Sequence, residues 1–171
     1  LAQGTGTIRL RNRIGAVLLE AKFSAQPPWP VAADGAGHSL VLARPSLGEA
    51  DPGAWATSRS IGGSPGRAEP EIADPFHSVV INEVLARSDG SQPAFIELYN
   101  HSRQAVDLGG CVLSDDPAAA KFTVPSPALL APGGFVFFDE ARLGFALRPG
   151  ETTIHLFDPS LTQVVDAVRV E

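Results

Sequence analysis

One stretch of this chain occurs twice, and that repetition limits the folds open to it. Residues 5–23, TGTIRLRNRIGAVLLEAKF, align with residues 151–169, ETTIHLFDPSLTQVVDAVR, at a constant offset of 146 without a gap. Thr7, Ile8, Leu10 and Ala21 recur as Thr153, Ile154, Leu156 and Ala167, and Leu18, Leu19 and Glu20 meet Val164, Val165 and Asp166. Each copy reads as a short alternating strand, a turn (residues 12–15 or 158–162) and a second apolar strand, the pattern of a β-hairpin. A repeat at this spacing implies that the chain starts inside one copy of a domain and stops inside the next.

The punctuation between strands agrees. Fifteen prolines and seventeen glycines in 171 residues favour many short strands joined by turns over long helices. Strands are expected at 40–43, 79–85, 94–100, 106–113, 122–124 and 133–138, with helical periodicity almost nowhere and a brief turn at 117–121. Along 94–100, Phe95, Glu97 and Tyr99 are expected on one face and Ile96, Leu98 and Asn100 on the other. The first segment is expected to end near Gly66, followed by a charged, proline-rich linker at 67–77, then a second segment at 78–171. No apolar run approaches the roughly 18 residues that span a bilayer as a helix, so no membrane insertion is expected. Cys111 is the one cysteine; beside Val112 and Leu113 it is expected as a buried, hydrophobe-like thiol. With no methionine and Leu1 inside a strand pattern, the chain reads as a piece of a larger protein, any export signal lying upstream.

Four blocks resemble the lamin tail domain, an immunoglobulin-like β-sandwich. They are Val80-Ile81-Asn82-Glu83-Val84; Phe95-Ile96-Glu97-Leu98-Tyr99-Asn100; Val106-Asp107-Leu108-Gly109-Gly110-Cys111-Val112-Leu113-Ser114-Asp115; and Leu130-Ala131-Pro132-Gly133-Gly134-Phe135. The first segment resembles the back half of the same family, through the hairpin, Pro28-Trp29-Pro30, Ala33-Asp34-Gly35-Ala36-Gly37-His38-Ser39-Leu40, Trp55 and Gly63-Ser64-Pro65-Gly66. The family commonly carries an aromatic residue where Cys111 stands. A back half followed by a front half implies a permuted or strand-swapped sandwich: residues 1–66 and 78–171 complete one sandwich within the chain, or complete neighbours by strand exchange into a homo-oligomer.

Candidate chemistry is sparse. Glu83 and Glu97, on adjacent strands, are the best-placed carboxylate pair for acid–base work, against the plainer expectation of hydrogen bonds to Asn82 or Asn100. Asp115, Asp116, Asp139 and Glu140 could offer oxygens to a hard cation but lack the alternate-position spacing of a calcium loop. His38, His77, His101 and His155 lack zinc-site spacing, and neither Ser39 nor Ser78 sits in a Gly-x-Ser-x-Gly elbow. Asn100-His101-Ser102 is formally a glycosylation sequon. No cofactor, metal or catalytic residue is expected.

Arg9, Arg11 and Arg13, on one strand face, could meet phosphates, or could guard an edge strand against aggregation. A net charge of −6 disfavours nucleic acid as partner. The resemblance implies a non-catalytic binding or structural module in a larger, exported, bacterial-type protein, extracellular or at the cell surface, with a protein or cell-surface component as partner. The binding candidates are Arg9, Arg11, Arg13, Trp29, Asp34 and His38. A nucleic-acid-associated module is the alternative, and a metal-dependent hydrolase the third reading.

Overall fold

Alternating apolar runs do become strands in the computed structural model, which describes residues 4–69, 74–87, 90, 92–150 and 152–170. The chain divides into two compact units, Leu1–Glu69 and Pro70–Glu171. The residues expected as a linker are shared between them. Glu69 accepts hydrogen bonds from Arg59 N and Ser64 Oγ in the first unit. Asp74 opens the 3-10 turn Pro75–Ser78 of the second and accepts from Gln163 Nε2 at 2.7 Å. Residues 70–73, with Leu1 and Glu151, lie outside the described residues.

The second unit is an all-β, immunoglobulin-like sandwich. Strands β5 (Val79–Leu85), β6 (Phe95–Asn100) and β11 (Phe135–Asp139) form one antiparallel sheet in the order β11-β6-β5. Strands β8 (Val112–Ser114), β9 (Phe122–Thr123), β12 (Thr152–Phe157) and β13 (Val164–Val170) form the other in the order β13-β12-β8-β9. A small pair, β7 (Val106–Asp107) with β10 (Leu129–Leu130), closes one end. The alternation expected on β6 holds: Ile96, Leu98 and Asn100 are buried while Phe95, Glu97 and Tyr99 are half-exposed. Ile96 and Leu98 meet Leu113, Ile154 and Leu156 from the other sheet, with Phe138 and Leu143, and this core closes within residues 79–170. Removing such side chains from water is the main favourable term in forming a sandwich.

Polar groups fix the geometry where strands stop pairing. β5 slips register between Ile81 and Glu83, and there the Asp166 carboxylate of β13 accepts from Ile81 N at 2.7 Å, joining the two sheets. The run 106–113, expected as one strand, is broken into β7 and β8. Asp107 Oδ1 accepts from Gly109 N and Ala128 N, both at 2.9 Å, and Gly110 turns the chain at φ 88. A side chain there would be strained, which accounts for the glycine. Asn100 is fully buried; its Nδ2 donates to the carbonyls of Gln104, Leu130 and Ala131, and its Oδ1 accepts from Ser102 N and Oγ. A one-turn helix, α1 (Glu140–Leu143), was not legible as a period. It exists because Asp139 caps it, accepting from Arg142 N at 2.9 Å.

The first unit holds β1 (Thr5–Arg11) paired with β2 (Val17–Ser24), and β3 (Leu40–Leu42) paired with β4 (Trp55–Thr57). Both copies of the repeat are therefore hairpins, and they match along the first strand and into the start of the turn. The register slips between Leu10 and Arg11 in one and between Leu156 and Phe157 in the other, positions 146 apart. Asn12 caps the first turn, accepting from Ile14 N and Ala16 N; Asp158 caps the second, accepting from Ser160, Thr162 and Gln163 N.

On the second strand the gapless alignment is one residue out. Ile8 faces Ala21 but Ile154 faces Val168, because the second loop holds one more residue before pairing resumes at Val164 rather than Val17's ungapped counterpart. Ala21 and Ala167 are therefore not structural equivalents.

Candidate functional site

The side chains that the sequence marked as candidates gather, in part, around one hollow in the first unit. Its volume is about 480 Å³, and its walls include Ile8, Phe23, Trp29, Asp34, His38 and Trp55. Strand pairing puts Ile8 opposite Ala21 and Gly6 opposite Phe23, so one face of the hairpin forms a wall. Gly6 keeps that wall close: a Cβ there would lie 2.5 Å from the Phe23 ring. The prolines around Trp29 and the 3-10 turn Val31–Ala33 carry the chain across the opposite side. The Trp29 and Trp55 rings lie 6.0 Å apart at 40°, and Trp55 Nε1 donates to Glu49 O at 3.0 Å.

His38 is buried, with Nδ1 2.7 Å from Ser58 O. A carbonyl only accepts, so Nδ1 carries a proton. Ser58 Oγ accepts from Ser39 N at 3.0 Å, which fixes the segment carrying His38. Asp34 follows the 3-10 turn and is followed by Gly35 at φ 91, as the Asp-Gly turn signal implies. The hollow is thus apolar and aromatic, with a carboxylate and an imidazole on its wall, the composition of a binding site rather than of a nucleophile–base pair.

The arginines lie elsewhere on the hairpin. Strand alternation turns Arg9 and Arg11 to the face opposite Ile8. Arg9 pairs with Glu20 of β2, and this guanidinium holds the Glu20 carboxyl below its ordinary range. Arg11 donates to Gly15 O at 2.9 Å, while Arg13 lies in the turn and not in the strand. The hollow therefore brings together Trp29, Asp34 and His38, and not the three arginines. Trp55, Phe23 and Ile8 were not picked as site residues, because what joins them is pairing register and chain reversal.

Carboxylates in the second unit have other tasks. Glu83 and Glu97 do face each other in register, and Glu97 accepts from Asn82 Nδ2 at 2.8 Å. Asp115 pairs with Lys121 Nζ at 2.5 Å, Asp116 accepts from Ala118 N, Asp139 caps α1, and Glu140 accepts from Leu147 N at 2.6 Å. These oxygens are used locally and do not converge; among the described residues no three His, Cys, Asp or Glu side chains could hold a metal ion together. Cys111 is buried, and burial, with Asp158, Asp107 and Asp74 adding to it, pushes its thiol up to about 12, far from a reactive thiolate. The sequon is no acceptor in the fold, since Asn100 Nδ2 is buried and donates to three carbonyls. No helix among the described residues is long and apolar enough to cross a membrane.

A family model described as the Lamin Tail Domain matches residues 73–171, more than half of the chain. The chain belongs to the lamin tail domain family. The match coincides with the second unit, and the four blocks fall on its sandwich: β5, β6, the β7–β8 corner and the turn before β11. The family is one of non-enzymatic, immunoglobulin-like modules. No curated protein matches the chain. Cys111 packs as a small core residue between β7 and β8.

Proposed function

We propose that this chain is a non-catalytic attachment module of a larger exported protein, acting outside the cell or at its surface. Its lamin tail sandwich at 73–171 is the scaffold, and residues 4–69, read as the back part of a second lamin-tail-like unit, carry the contact surface. The observation that supports this is the hollow that gathers Trp29, Asp34 and His38 beside an apolar hairpin face. Aromatic walls supply contact area at low entropic cost and a few polar groups orient the partner, which is the make-up of protein-recognition surfaces. The partner on this reading is a protein segment.

Selection of displayed random peptides on the full chain tests it. The expected outcome is a consensus peptide whose affinity falls at least tenfold with Asp34→Ala and is unchanged with Glu83→Gln. No consensus, or one indifferent to Asp34→Ala, overturns the proposal. The nucleic-acid reading has a separate test: duplex DNA binding that weakens steeply with salt and is lost in the Arg9, Arg11, Arg13 triple alanine variant would restore it.

A further inference from the structure

The two sheets of the second unit treat their outer faces differently. On β12 the outward-alternating His155 is buried, as are the core residues Ile154 and Leu156 on either side of it. The sheet β11-β6-β5 leaves its outer face open. Register sets Phe95, Glu97 and Tyr99 of β6 between the outward residues of its two neighbours. Tyr99 lies opposite Phe135, and Glu97 lies opposite Phe137 on one side and Glu83 on the other. Phe135 and Phe137 are 55% and 56% exposed, and no other Phe, Tyr or Trp among the described residues is classed as exposed. A contiguous aromatic patch facing water marks a contact surface.

The rings are arranged around a charge. Tyr99 and Phe135 stack with centroids 4.4 Å apart at 15°, and Phe95 meets Phe137 edge-on at 5.9 Å. Glu97 stands between these pairs, with Phe95 and Tyr99 two residues away on its own strand face and Phe137 across on β11. Its fourth side is Glu83, and carboxylates directly opposite each other on a sheet repel. Among the described residues neither glutamate has an ion-pair partner. Glu97 accepts from Asn82 Nδ2, while Glu83 is exposed. None of the three strands contains a lysine or an arginine.

We infer that this face binds an arginine-bearing protein segment. A guanidinium is planar, weakly hydrated and always charged, so it can lie along a ring while its N–H groups bond carboxylates. Glu97 and Phe137 offer both contacts side by side, and a cation there relieves the repulsion between Glu97 and Glu83. A lysine ammonium, compact and strongly hydrated, gains less from the rings. A second copy meeting this face with its own sets four glutamates against one another and is the poorer occupant. A neutral ligand leaves the paired charge unanswered. The site belongs to the second unit and does not rest on the hollow of the first.

Fluorescence anisotropy on the full chain tests it. The probe is a labelled synthetic peptide in which arginine and leucine alternate, read beside the same peptide carrying citrulline or lysine in place of arginine. Saturable binding of the arginine peptide is expected. Its affinity is expected to fall by about tenfold in the Glu83→Gln, Glu97→Gln double variant and severalfold with Phe137→Ala. Citrulline is expected to cost about tenfold and lysine severalfold. The double glutamine variant keeps the side-chain shapes and is expected to melt no lower than the parent, so lost binding is not lost fold.

Binding unchanged in the double variant, or equal for the citrulline or lysine peptide, overturns the inference. So does self-association of the chain that the double variant abolishes, which assigns the face to a second copy. Asp34→Ala is expected to leave the arginine peptide bound; loss there moves the peptide to the hollow and overturns the site. Failure on any of the first three counts leaves an Asp34-dependent consensus at the hollow standing.

Discussion

His155 is one source of pH sensitivity in the sandwich, and burial, which raises the Asp166 carboxyl, acts there with the opposite sign. His155 is buried between β8 and β13, and neither ring nitrogen holds a well-formed hydrogen bond. Burial pushes its pKa below the usual 6.5, and the Ser114 backbone with the Asp115 and Asp116 carboxylates offsets only part of that. The folded state then binds fewer protons than the unfolded one between the lowered value and 6.5, so stability rises with pH through that window. It is complete above pH 6.5 and erodes as pH falls below it. Denaturant melts from pH 7.5 to 5 are expected to show falling stability, with a flatter slope in His155→Gln than in the parent chain. An unchanged slope would place the sensitivity in another group. No feature of the sequence singled this histidine out. Its register partner on β8, Ser114, lies 41 residues away, and burial on both faces of β12 is a property of sheet order.

The hairpins show what an element inherits from sequence and what it does not. Turn chemistry transfers: Asn12 and Asp158 cap in the same way, and Gly15 and Leu161 both take positive φ, at 87 and 57. Glycine accepts that conformation freely, whereas leucine is strained there by about 1 kcal/mol. Leu161→Gly is therefore expected to stabilise the second unit by about 0.5–1 kcal/mol in equilibrium denaturation; a loss would mean that the Leu161 side chain contributes more than its backbone costs. Strand alternation on β6 was legible because a half-buried sheet imposes a period of two. The register of the second hairpin strand was not, since one extra loop residue shifts every pairing without changing the apolar pattern. The hollow was half legible: Trp29, Asp34 and His38 sit in one punctuated run, while Trp55 reaches it only through the pairing of β3 with β4.

At the scale of the molecule, the two units carry separate reporters. Both tryptophans, Trp29 and Trp55, belong to the first unit, and the Asn100 network belongs to the second. Asn100→Leu strips a buried donor from three carbonyls and is expected to cost the second unit about 2–4 kcal/mol. Calorimetry and far-UV dichroism should register that loss while the tryptophan fluorescence transition stays in place. A matching fluorescence shift would show that the units melt together.

The clasp between Asp74 and Gln163 joins residues 89 apart, and Asp166 to Ile81 spans 85. Seen from the ribosome, these contacts become available only once β12 and β13 have emerged, long after the front strands they hold. At roughly 5–20 residues per second the front strands wait seconds for their own hairpin. Throughout that wait Gln163 and Asp166 are not yet there to meet Asp74 and Ile81, so the front strands pass the interval without the polar contacts that tie them to their closing hairpin.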